Sequence, residues 1–160
     1  MIQQVKKELN DRYSFAELAT LARESKEQRL LDLSDPRFLA PKSMIGEIEK
    51  TLGELSVGDL ARTVFLSLAE AYKIAINELE SATGESYDAL HVIGGGCQNA
   101  FLNEMTALAT GKRLTVGPVE ATAIGNIIAQ MIGTGEIKDL PTARNIIKKS
   151  FDITEVTING

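Results

Sequence analysis

Three consecutive glycines, Gly94-Gly95-Gly96, separate the short apolar run Leu90-His91-Val92-Ile93 from the polar pair Gln98-Asn99, and a helical pattern opens at Ala100. Such a strand–turn–helix junction leaves backbone bare beside helix N–H groups, which is where α/β proteins commonly hold anions and nucleotides. Glycine costs about 1 kcal/mol relative to alanine in ordered structure. The run therefore answers a need: a tight turn with close helix-to-sheet packing, or a ligand lying flat against the backbone. Spacing alone leaves both open. Asn99, in the first turn of the following helix, offers two donors and an acceptor to a base or ribose edge, and can equally serve as a helix cap. The glycines are not followed by Gly-Lys-Ser/Thr, so this is no Walker A loop, and they lack the G-x-G-x-x-G spacing of a dinucleotide turn.

Other reactive side chains are sparse. Cys97 is the only cysteine and His91 the only histidine. No internal disulfide can form, which fits a reducing cytoplasm, and a zinc site is implausible. His91 inside a short strand reads as a packed or hydrogen-bonded residue rather than a catalyst. The acids fall mostly on helix faces and caps, and none stands out as a catalytic base. A net charge of −5 without a basic run argues against nucleic-acid binding. No apolar run approaches the roughly 18 residues of a membrane span, and the first residues are not followed by the apolar stretch of a secretory signal.

The elements that would position the glycines can be read from periodicity. At 160 residues a single domain is the default. Residues 2–9 form a short or frayed helix. Ser14 and Glu17 make a capping box for a helix over residues 15–25. Asp35-Pro36-Arg37-Phe38 is a turn in an irregular connection, with Asp35 and Arg37 solvated, and Pro41 suits the first turn of a helix over residues 42–51. Ser56 and Asp59 open the strongest helix, which runs to Thr83. Leu60, Val64, Leu68, Ala71, Ala75 and Leu79 form one stripe and Phe65, Tyr72 and Ile76 a second, so the helix is expected to be buried between layers. Gly84 ends it. A strand at 89–93, a helix at 98–110 stopped by Gly111, and a strand at 112–116 make a βαβ unit with a parallel pair as its default. Gly117-Pro118 turns the chain into a helix with Glu120 in its first turn, an apolar face of Ile124, Ile127, Ile128 and Met131, and an end at Gly133 and Gly135. A last helix spans residues 141–149. The tail, with Ile153, Val156 and Ile158 alternating imperfectly, is expected to be mostly irregular.

Leu90-His91-Val92-Ile93-Gly94-Gly95-Gly96-Cys97-Gln98-Asn99-Ala100-Phe101-Leu102-Asn103 resembles the nucleotide-binding segment of FGGY carbohydrate kinases. Gly117-Pro118-Val119-Glu120-Ala121-Thr122-Ala123-Ile124-Gly125-Asn126 is similar to the helix start that follows it in that family. Together with Asp35-Pro36-Arg37-Phe38, the resemblance covers nearly the whole chain and narrows to kinases of L-rhamnulose. It implies an α/β fold, part of a ribonuclease H-like domain of the actin, Hsp70 and hexokinase superfamily, here helix-rich with a short parallel βαβ unit. ATP with Mg²⁺ would be the cofactor. Gly94, Gly95 and Gly96 would line the adenosine and phosphate side of the nucleotide, with Gly95 and Asn99 at positions that contact ATP. Glu120 and Gly125 would be structural, holding the next helix against the nucleotide turn. The family's catalytic aspartate, phosphate hairpin and sugar pocket match nothing here. Residues 1–160 are therefore expected to be the C-terminal portion of the nucleotide-binding domain, with no catalytic residue and no metal ligand. Such a chain is expected to be inactive alone and to self-associate or require the N-terminal part. Two alternatives stay open: a non-catalytic helical interaction module whose glycine turn is structural, and a kinase for another ketose such as fuculose or xylulose.

Overall fold

The computed structural model describes residues 1–156. The chain divides into two compact units, one of Met1–Tyr87 with Asn99–Gly111 and one of Asp88–Gln98 with Lys112–Gly160.

The first unit is helical. It contains α1 (Ile2–Glu8), α2 (Phe15–Glu24), α3 (Met44–Leu52), α4 (Val57–Thr83) and α5 (Ala100–Thr110). The local signals for α2 operate as expected: the Glu17 N–H donates to Ser14 Oγ at 3.2 Å, and the Ser14 N–H donates to Glu17 Oε2 at 2.7 Å. At α4 only half of the box forms. The Asp59 N–H donates to Ser56 Oγ at 3.2 Å, but the Asp59 carboxylate accepts the hydroxyls of Ser56 and Ser25, tying the end of α2 to the start of α4. Gly84 closes α4 in the left-handed conformation at φ 71°.

The first half of α4 is the spine of this unit, and its two apolar faces bury in two directions. Leu60 and Val64 join Val5, Leu31, Phe38, Met44 and Ile48 in one cluster. Ala61 and Phe65 join Leu18, Ala22 and Phe101 in the other. Phe65 meets Phe101 edge to face, with centroids 5.8 Å apart and planes at 72°. Each large apolar side chain buried this way contributes about 1.5–3 kcal/mol. A Cβ on Gly58 would lie 3.0 Å from the Leu21 carbonyl oxygen, so glycine lets α2 and α4 approach closely. The second half of α4 departs from expectation. Tyr72, Ile74 and Leu79 are 44%, 50% and 50% exposed, so burial between layers holds only for the first half.

Three further features of this unit fill in what periodicity left open. α1 is a formed helix with Val5 fully buried. α3 begins at Met44 rather than near residue 42, because Ser43 caps it and Glu8 of α1 accepts the N–H groups of Met44 (2.7 Å) and Ile45 (3.0 Å). Pro41 stands ahead of the helix, and its carbonyl accepts Gln4 Nε2 at 2.8 Å. Asp35 and Arg37 form the expected turn, with Arg37 exposed. The Arg37 N–H donates to Asp35 Oδ1 at 2.9 Å, the two side chains pair at 2.8 Å, and Phe38 drops into the core.

The second unit is built on a three-stranded mixed sheet in the order β1-β2-β3. β1 (Ala89–Val92) and β2 (Arg113–Val116) are parallel, in register from Ala89↔Arg113 to Val92↔Val116. The tail, expected to be irregular, supplies β3 (Thr154–Glu155), which runs antiparallel to β2. Its signal is hidden because two paired residues are too few to show alternation. Ile158 lies outside the described residues. α6 (Ala121–Gly133) follows β2 with Glu120 at its N-cap rather than in its first turn; it runs through Gly133 to a Thr134 cap before Gly135 turns at φ 81°. α7 (Leu140–Ser150) has Asp139 as its cap and Pro141 in its first turn. Leu114, Ile137 and Ala143 are buried in this unit, whereas α6, despite its apolar sequence, has no buried residue. The chain is thus a helix-rich α/β structure with a small mixed sheet.

Candidate functional site

The glycine turn begins where β1 ends. Gly94 takes φ +75°, a conformation that L-residues rarely adopt. Its carbonyl accepts the Cys97 N–H at 3.1 Å, closing a short 3-10 turn over Gly95–Gln98. Two bonds join this turn to the one after β2: the Gly117 N–H donates to the Val92 carbonyl at 2.9 Å, and the Gly94 N–H donates to the Pro118 carbonyl at 3.4 Å.

The three glycines are not equivalent. Dihedral geometry requires Gly94. Gly95 and Gly96 have no left-handed φ, and a Cβ built on either meets nothing within 4 Å. Among the described residues, neither conformation nor packing therefore requires glycine at 95 or 96. They present bare backbone to open space, the surface on which a flat ligand can lie.

Asn99 belongs to the helical unit. It is the N-cap of α5, with φ −91° and ψ 91°, so the helix starts at Ala100 and not at residue 98. The cause is local: the side chain takes over the helix end, its Oδ1 accepting the Leu102 N–H at 3.0 Å. That engages the amide's acceptor and leaves its NH₂ group as a pair of donors.

The remaining candidates are structural. His91 is exposed on β1, with Nδ1 2.6 Å from Thr115 Oγ1 on the neighbouring strand. The carboxyls that shift all shift downward, the opposite of what a general base near neutral pH needs. Glu17 is held down by the Ser14 N–H and Asp139 by the Thr142 hydroxyl, both as caps. In Glu8 burial pushes upward, but the N–H groups of Met44 and Ile45 outweigh it. Among the described residues, no three His, Cys, Asp or Glu side chains gather where they could hold a metal. Glu120 makes no side-chain cap bond, and a Cβ on Gly125 would meet nothing within 4 Å. The bracing role expected of these two therefore has no such contact behind it. Sequence reasoning missed the demand on Gly117, which has φ +99° and would place a Cβ 2.5 Å from the Asp152 carbonyl oxygen. The Gly-Pro dipeptide signalled a turn, but not the distant segment that seats on it.

Residues 1–134 match the FGGY family of carbohydrate kinases, C-terminal domain. Among similar proteins, the rhamnulokinase of Halalkalibacterium halodurans is 42% identical over 96% of this chain and 34% of its own length. That of Bacillus subtilis is 42% identical over 98% of the chain and 34% of its length, and that of Enterococcus faecalis 42% identical over 94% and 32%. The chain spans about a third of the length of these curated relatives. With most of its residues matched, the chain belongs to the FGGY family of carbohydrate kinases.

Proposed function

We propose that this chain carries the nucleotide side of an ATP-dependent cytoplasmic kinase that converts L-rhamnulose to L-rhamnulose 1-phosphate. The observation that carries the reading is the bare backbone of Gly95 and Gly96, which nothing among the described residues requires. ATP supplies the phosphoryl group. Gly94, Gly95 and Gly96 line its adenosine and phosphate side, and the Asn99 amide donates to an acceptor on it. This arrangement binds and orients; it contains no group tuned to take a proton from a sugar hydroxyl. The sugar pocket, the catalytic aspartate and any Mg²⁺ ligands belong to the part of the longer relatives that this chain does not match, and the fold is the matching piece of a ribonuclease H-like domain. Transfer therefore needs that complementary part, and the chain alone is inactive. The names of the relatives support L-rhamnulose as the sugar.

The test combines this chain with the N-terminal two-thirds of the Bacillus subtilis relative. ADP release is measured with L-rhamnulose, L-fuculose and D-xylulose. Activity on L-rhamnulose first, and none from either piece alone, is the expected result. Gly95→Val should lower ATP affinity at least tenfold while leaving the melting temperature unchanged, since its Cβ enters open space. A variant that alters only stability, with no ATP bound by chain or complex, favours a helical interaction module instead.

A further inference from the structure

The nucleotide turn does not stand alone: a line of contacts runs from it to the C-terminal tail. β3 lies on the side of β2 away from β1, with Thr115 opposite Glu155 and Val116 opposite Thr154. The Val156 N–H adds a bond to the Leu114 carbonyl at 2.8 Å. Just before β3, the Asp152 carbonyl oxygen lies 2.5 Å from where a Cβ on Gly117 would stand. Gly117 in turn bonds to Val92, and Pro118 accepts the Gly94 N–H. That last bond, at 3.4 Å, is at the long end of the hydrogen-bond range, so small drifts of the 117–118 turn break it first. The tail also lies beyond residues 1–134, which carry the family match.

We propose that residues 151–156 are a positioning segment for the glycine turn: seated on Gly117, they fix the Gly117-Pro118 turn that holds Gly94, and through it the nucleotide-facing backbone. The proposal rests on the glycine turn being the nucleotide surface. Glycine at 117 is required twice over, by its positive φ and by the approach of the Asp152 carbonyl. A side chain there displaces either the tail or the turn. Loss of the β3 pairing frees the same joint from the other side.

Two variants of the full chain test this. Val156→Pro removes the N–H that bonds to Leu114 and leaves residues 1–155 unchanged; Gly117→Ala places a methyl group against Asp152. Amide exchange and chemical shifts of Gly94, Gly95 and Gly96 are followed by NMR without ligand, then with ATP titrated into the millimolar range. In both variants Gly94 exchange should rise at least tenfold and ATP affinity fall at least fivefold, while amides of α2 and α4 keep their protection. If Gly117→Ala fails to fold, Val156→Pro decides. Glycine amides that do not respond to loss of the tail overturn the proposal, as do amides that respond with no change in ATP affinity. If neither the wild-type chain nor its complex with the N-terminal two-thirds of the Bacillus subtilis relative binds ATP, the nucleotide assignment fails and the proposal with it. The ligand-free amides still show separately whether the tail holds the turn.

Discussion

Asn99 caps α5 with the oxygen of its carboxamide, and the cap can be separated from the proposed donation to a nucleotide by the NH₂ group. Aspartate caps as well as asparagine does and adds a charge that the helix N-terminus favours. Asn99→Asp should therefore keep stability within about 0.5 kcal/mol. It loses the donor and sets a negative charge beside a polyanionic ligand, so ATP affinity should fall more than tenfold in calorimetric or NMR titration. Asn99→Ala loses the cap and about 1 kcal/mol of stability. Equal effects of the two variants on binding and on unfolding would mean that Asn99 is only a cap. At this scale the sequence was informative where chemistry is local. Three adjacent glycines and an Asx residue three positions after the last announce a turn and a cap. The requirement at Gly117 was invisible, because it is imposed by a carbonyl from the far end of the chain.

Elements were legible in proportion to how local their boundaries are. α2 and α4 start at serines whose own hydroxyls accept the first helix N–H groups, and both starts were found. α3 has a serine cap of its own in Ser43, with Glu8 of another helix accepting two further N–H groups, and its start was misplaced because Pro41 was read as the first turn. β3 exists only by pairing with β2. The segment after α2 shows what a local ion pair does with pH. Arg29 bonds to the Glu27 carboxylate through its side chain and its N–H, outweighing burial and lowering the pKa from 4.5 to about 2. The Glu27 carbonyl also accepts Arg62 Nε of α4 at 2.7 Å. A depressed folded-state pKa means that this stabilisation is complete above about pH 4.5 and is lost as pH falls toward 2. Circular dichroism should show the helical unit loosening through that window. Glu27→Gln should remove that share of the acid dependence while costing stability at pH 7. An unchanged acid profile in the variant would show that Arg29 does not hold the segment.

At the scale of the whole molecule the two units differ in how much core they own. The helical unit has two apolar clusters, whereas the sheet unit buries Leu114, Ile137 and Ala143 and leaves Ile93 and Ile127 more than half exposed. β1 is an edge strand, Ala-Leu-His-Val, with no lysine or proline to discourage pairing. The exposed second half of α4 adds to the uncovered surface. These surfaces fit a chain that spans a third of its relatives. In sedimentation at micromolar concentration the chain should self-associate, and the complementary two-thirds should replace that association with a one-to-one complex. A clean monomer that ignores the complementary piece would count against it. The exposure could not be read from the sequence, because apolar periodicity records which face is meant to be covered and not what covers it. The same periodicity predicted α4 buried between layers, which holds for its first half, and an apolar face for α6, of which Ile127 alone is exposed.

The partly covered α6 also sets how the chain should respond to denaturant. The slope of unfolding free energy against guanidinium concentration follows the surface released, and so does the heat capacity. With Ile124, Ile128, Met131 and Ile132 only partly covered and no residue fully buried, α6 releases less surface than a core helix does. The heat-capacity increment should fall below the roughly 2 kcal/mol/K that a closed domain of this length gives, with a correspondingly shallow guanidinium transition. Docking of the complementary piece should steepen it by more than that piece contributes alone.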